Sequence, residues 1–164
     1  MKPADFRKLI LAGAALSIGL MSLSAHAGGE GGNIPFPADF RGWNHTKSIV
    51  EPDKENPFHG FRNIYVNDTG IEAMKNGTAY PDGSLIVMSF HEPVLTEGAY
   101  AQGKPIKYVL MLKDASATAS DGWTYEAYAA GAMKPLVGDK VVEKCHDCHT
   151  ARRENDFVFS TYVK

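Results

Sequence analysis

Cys145 and Cys148 are the only cysteines in this chain of 164 residues, and they stand in the run Cys145-His146-Asp147-Cys148-His149 close to its C-terminus. This is the C-x-x-C-H signal for attachment of a c-type haem. Two thiols three positions apart share one helical turn, so each can add to a vinyl group of the porphyrin. His149, the next residue, then sits where its imidazole can bind the iron. Two other uses of such a pair fit less well. Zinc would want a further ligand at suitable spacing, and His146 points elsewhere on the turn. A thiol–disulfide pair of the thioredoxin type would follow a βαβ start, which this chain lacks. One covalently bound haem c is therefore expected, held by Cys145 and Cys148 with His149 as proximal iron ligand.

Attachment of this kind calls for an exported chain, and the N-terminus reads as a signal peptide over residues 1–27. Lys2, Arg7 and Lys8 form a basic start, an apolar run extends from Leu9 to about Leu23, and Ala25-His26-Ala27 fits small-residue cleavage. An uncleaved membrane anchor is the alternative, although the run is shorter than the ~20 residues needed to span a bilayer. The expected location is the periplasm, with no membrane association after cleavage. Loss of the leader removes Lys2, Arg7, Lys8 and Asp5 and takes the formal charge from −2 to −4. Nothing in that balance suggests nucleic acid, which would want a basic patch.

The remaining chain suits one domain with one core. Residues 28–37, rich in Gly and Pro, read as a flexible or extended lead, and the haem domain is expected over 38–164. A first strand is expected from Phe40 to Val50 and a second over Phe61–Val66, closed by the turn signal Asn67-Asp68-Thr69-Gly70. Ile71–Lys75 reads as a short helix stopped by Asn76-Gly77. Pro81-Asp82-Gly83 then launches a strand over Ser84–Val94, with further strands over Ile106–Leu112 and Trp123–Tyr128. A helix from Asp139, its N-cap, to about Arg152 carries the haem motif, and Asp156–Phe159 reads as a strand-like tail. The fold class is thus α+β: an antiparallel sheet of about five strands packed with two or more helices, the haem motif on the C-terminal helix. Electron-carrier cytochromes c are helical, with an early motif and a ligating Met downstream. Here the motif is late and no Met follows His149.

These residues resemble the cytochrome P-460 family, and within it the cytochromes c′-β. The resemblance rests on Phe40-Arg41-Gly42-Trp43, Pro57-Phe58 through Arg62 to Tyr65, Pro81-Asp82-Gly83-Ser84, the late C-x-x-C-H, and Asp156-Phe157-Val158-Phe159. It implies a homodimer, a five-stranded antiparallel sheet packed on helices, and a five-coordinate haem. The P-460 enzymes of the family oxidise hydroxylamine and nitric oxide and carry a lysine cross-linked to the porphyrin. The matching position here is Met88, whose thioether cannot form that bond. The family's distal acid has no counterpart in Tyr108–Leu112, whereas its pocket arginine matches Arg62.

Around the haem the expected contacts are Met88 packing at the porphyrin edge, Phe58, Phe61 and Phe90 as an apolar lid, and Arg62 as a cation for a propionate or a polar ligand. Each has a plainer reading: core methionine, core aromatics, exposed strand arginine. His45, His59 and His91 are weaker candidates for a sixth ligand, and alternation turns His91 away from Met88 and Phe90. Trp43, Tyr65, Trp123, Tyr125 and Tyr128 read as sheet core or dimer surface, and Lys104, Lys107 and Lys113 as solvated strand charges. The function expected is binding of small gaseous ligands, nitric oxide and carbon monoxide, with a role in nitric oxide binding or detoxification and a possible periplasmic redox partner. A P-460-type oxidase of hydroxylamine or nitric oxide and a plain electron carrier are the alternatives, so enzymatic activity stays open.

Overall fold

The computed structural model describes residues 33–163; the expected signal peptide and residues 28–32 of the lead lie outside the described residues. Five strands form one antiparallel sheet in sequence order: β1 (Asn44–Glu51), β2 (Gly60–Val66), β3 (Leu85–Thr96), β4 (Ala99–Lys113) and β5 (Trp123–Ala129). The α+β class is as expected. Each strand pairs with the next, which needs only a chain reversal between them. Helix α1 (Ile71–Asn76) fills the β2–β3 connection and ends where Gly77 turns left-handed at φ 64°. The turn before β3 forms as expected, with the Ser84 N–H donating to Pro81 O at 3.1 Å. Among the described residues no helix is long and apolar enough to cross a membrane.

Register sorts the side chains onto two faces. On one face Ile49, Arg62, Phe90 and Lys107 form a row, Lys47, Ile64, Met88, Val109 and Ala127 a second, and Ile86, Met111 and Tyr125 a third. The other face buries Val87, Tyr108, Leu110 and Tyr128 against Ile34 and Phe40. Phe36 packs there with its ring centroid 5.0 Å from Tyr108 and 5.5 Å from Tyr128. Such aromatic pairs contribute about 0.5–1.5 kcal/mol each beyond the area they bury.

The described part of the lead is therefore pinned: Ile34 is buried, and its carbonyl accepts the Tyr128 hydroxyl at 2.6 Å. Phe40–Gly42 is a 3-10 turn, not the start of a strand, because the Trp43 N–H bonds back to Phe40 O and the Phe40 ring enters the second core. The C-terminal helical segment starts later than expected. It runs as π-helix over Val142–His146, α-helix over Asp147–His149 and 3-10 helix over Thr150–Asn155, and Asp139 makes no cap. Gly138 is left-handed, and Pro135–Val137 are tied to β5 by a bridge to Tyr128 and by Glu126, so the chain leaves the sheet only after Val137. The tail is not a strand either: Asp156 and Phe157 both take left-handed φ, at 47° and 65°.

Candidate functional site

Over the first face of the sheet lies a cavity of about 680 Å³, within the range of small-molecule and cofactor sites. Its walls are the three rows of that face except Ile64, which is buried beneath them, Leu136 and Val137 from the segment after β5, and Cys145, Cys148 and His149 from the C-terminal helical segment. The lining is mostly apolar, with Val158 and Phe159 of the tail contributing beside the histidine.

His149 is held for a ligand role. Its Nδ1 lies 2.7 Å from Phe157 O, so that nitrogen carries the proton and the Nε2 lone pair is left for a metal. Its ring packs against Tyr125, centroids 4.9 Å apart, and edge-on against Phe159 at 5.1 Å. Burial pushes the imidazole pKa down, the bond to Phe157 works against this, and His146 adds to it, so the ring is neutral and ready to coordinate. The tail explains the geometry. The left-handed pair Asp156-Phe157 turns the Phe157 carbonyl back at His149. Asp156 anchors that turn: its Oδ1 meets Lys113 Nζ at 2.8 Å and its Oδ2 accepts the Tyr80 N–H at 2.8 Å. Lys113 is therefore a partly buried ion-pair partner and not a solvated strand charge.

Cys145 is half-buried, Cys148 is exposed, and neither is bridged. Burial, reinforced by the charge of Glu126, raises the Cys145 pKa. His146 is buried and committed on both nitrogens, Nδ1 to the Tyr125 hydroxyl at 3.3 Å and Nε2 to Asp121 Oδ2 at 3.0 Å. The zinc reading thus loses the side chain that would have completed it.

Met88 lies mid-row between Ile64 and Val109 on the cavity wall, with Phe90, Arg62 and the largely exposed Phe58 towards one end. Phe61 is not part of this wall. It pairs with His91 and so faces the other side of the sheet, because a strand cannot turn both Phe61 and Arg62 inward. His91 is buried on that other face, its Nδ1 3.3 Å from Gly103 O, as its alternation with Met88 implied. His45 contacts Ser48 at 3.2 Å, and neither it nor His59 lines the cavity.

Several contributors escaped the sequence reading. Lys107 is on the cavity wall, not solvated on a strand, and Lys47, Lys144 and Tyr125 join it. Glu126 is fully buried at 0% exposure, and its Oε1 accepts three backbone N–H groups, from Ala127 at 2.9 Å, Leu136 at 3.2 Å and Val137 at 2.9 Å. Lys144 Nζ donates to Leu136 O at 2.8 Å from the helical side. Glu126 and Lys144 together clamp the Leu136–Val137 wall. A lone Glu in the alternating run Trp123–Tyr128 was the available signal for it.

The donor set fits a porphyrin: an oriented imidazole with its Nε2 available, two unbridged thiols on the same wall, and a largely apolar cavity. Fold and site define a haem-binding cytochrome of the α+β sheet type. The chain belongs to the Cytochrome P460 family, whose model matches residues 37–160, a span that includes both cysteines, His149 and every row of the cavity. Comparison with individual curated proteins gave no match.

Proposed function

We propose that this chain is an exported, periplasmic monohaem c-type cytochrome of the c′-β kind, with the haem joined to Cys145 and Cys148 and bound through His149. Its role is to bind small gaseous ligands, nitric oxide and, when reduced, carbon monoxide, in nitric oxide buffering or detoxification. The observation that carries this reading is the single oriented imidazole, His149, on a mostly apolar cavity whose opposite wall offers no second histidine among the described residues. When bound, the haem supplies the iron that takes the gas. The chain's part is to give the middle of the sheet wall an apolar surface: Met88, Val109 and Ala127 present only apolar side chains there, and Tyr108–Leu112 gives it no carboxylate. Proton delivery for oxidation of hydroxylamine is correspondingly poor. A homodimer and a periplasmic redox partner complete the proposal.

The test is an optical spectrum of the reduced protein with and without carbon monoxide. A high-spin reduced spectrum that shifts on adding the gas is expected. A low-spin spectrum indifferent to it would mean a sixth protein ligand and a plain electron carrier.

A second reading, the P-460-type oxidase, gains from one observation: although Met88 replaces the cross-linking lysine, Lys47, Lys107 and Lys144 all line the cavity. Intact mass of the denatured holoprotein separates the two. The gas-binder reading expects the mature chain plus one haem joined through two thioethers. An additional bond to a lysine peptide, with a red-shifted ferrous Soret band, would instead establish the oxidase.

A further inference from the structure

The first row of the cavity wall carries a charge pattern that gas binding does not use. Arg62, Phe90 and Lys107 are direct cross-strand partners on β2, β3 and β4, so the Phe90 ring lies between two cations. Arg62 Cζ is 5.9 Å and Lys107 Nζ 4.6 Å from its centroid, and Phe58 receives Arg62 on another side at 5.7 Å. All four side chains line the cavity. Among the described residues neither cation forms a salt bridge. Glu51, the one carboxylate whose field reaches Arg62, spends its oxygens on the Asp53 N–H and on Asn56 Nδ2, both at 3.1 Å. The Nε of Arg62 is buried and has no partner.

Two unneutralised cations beside an apolar cavity are costly as they stand, because each loses water without a full replacement. Their contacts with aromatic rings return only part of that cost at partly exposed positions. An oxyanion would return more. Arg62 presents a planar fork with a spare Nε–H, and Lys107 adds a point charge from the neighbouring strand. The row also lies away from the proximal histidine. Lys107 is four residues along β4 from Met111, whose partner Tyr125 packs on His149, a separation of about 13 Å along the strand.

We propose that Arg62 and Lys107 form a two-cation site for a carboxylate-like anion at the end of the cavity away from His149. The proposal rests on the haem-pocket reading, since that reading supplies two sources of the same chemistry. One is a propionate of the haem itself. The other is a free small oxyanion entering beside the exposed ring of Phe58.

The test uses the haem-loaded protein with Arg62→Gln, Lys107→Gln and the double substitution. The ferric form is titrated with formate, the smallest carboxylate, followed at the Soret band, and the reduction potential is measured against pH. If a propionate is the occupant, the pH at which the potential bends moves upward in each variant, because an ionised propionate has lost its partner. Formate affinity then stays at the parent value. If a free oxyanion is the occupant, formate binds the parent saturably and about tenfold more weakly in each single variant, the loss of one charge-assisted hydrogen bond. The pH profile of the potential then stays where it was. If neither quantity moves, the site does not exist and the proposal falls. Arg62→Lys and Lys107→Arg keep the charge and are expected to return the Lys107 readings fully and the Arg62 readings in part. They decide the matter if a Gln variant folds poorly. Loss of the carbon monoxide spectrum in the parent itself would instead mark a failure of the gas-binding reading, which leaves the anion measurements independent.

Discussion

Replacement of Cys145 and Cys148 together by alanine is expected to turn haem that survives denaturation into haem removed completely by acidified organic solvent. The two thiols are the only sulfhydryl groups in the chain and both line the cavity wall that carries His149. With them gone, haem would be held only through His149 and the apolar walls of the cavity. Bound material is then in equilibrium with free haem, and stability becomes dependent on haem concentration as for any reversible ligand. Each single variant keeps one thioether and should still hold its haem through denaturation. The measurement is absorbance of the extracted and protein-retained fractions. Retention by the double variant would place a covalent bond elsewhere, with Lys47, Lys107 and Lys144 the side chains in position to make it.

Asp156→Ala is expected to lower folding stability by about 3 kcal/mol and to disturb the proximal histidine at the same time. Asp156 is 15% and Lys113 17% exposed at the side chain, so truncation strands a lysine ammonium over Trp123, 4.9 Å from its ring centroid. Breaking one partner of a buried pair typically costs about 3–5 kcal/mol, and the residual exposure here argues for the low end. The Tyr80 N–H loses its acceptor as well. For a domain of this size the loss corresponds to a fall in Tm of about 10 °C. Asp156→Asn should cost less, about 1–2 kcal/mol, since an amide oxygen still accepts from Tyr80 and Asn tolerates the left-handed φ. Because Asp156 starts the turn that aims Phe157 O at His149, the Ala variant should also show altered iron–histidine vibrations. A melting point within about 2 °C of the parent would sink this account of the tail.

What could be read in advance had local causes. The C-x-x-C-H run puts two thiols and an imidazole within five residues, and all three line one cavity. The Pro81-Asp82-Gly83 turn and the stop of α1 at Gly77 follow from backbone preferences that act within four residues. Alternation along Met88-Ser89-Phe90-His91 placed His91 away from the cavity side, and the structure agrees. The same rule, applied to Phe61-Arg62, forbids both from facing inward. The aromatic residue looked like the better lid, yet the arginine took the inward position because it pairs with Phe90 across β2 and β3.

The remainder depended on contacts distant in sequence. Phe40 reads as a strand residue until the second core is seen to need its ring. Asp156–Phe159 has strand-like composition, but Asp156 is held by Lys113 and by the N–H of Tyr80, and that anchoring imposes a left-handed turn instead. Lys107 is one of several lysines along β4, and only the register with Phe90 puts it beside the cavity. Glu126 is a polar residue in an aromatic run until three N–H groups converge on one of its oxygens. The sequence by itself determined the haem-binding family, the α+β class and the order of the strands, since these arise from bonded spacing and short-range backbone energetics. Tertiary structure alone decided which side of each strand became the cavity wall and which carbonyl holds His149. A one-residue change of register exchanges the faces, and only the packing of the whole sheet against the helix and tail selects between them.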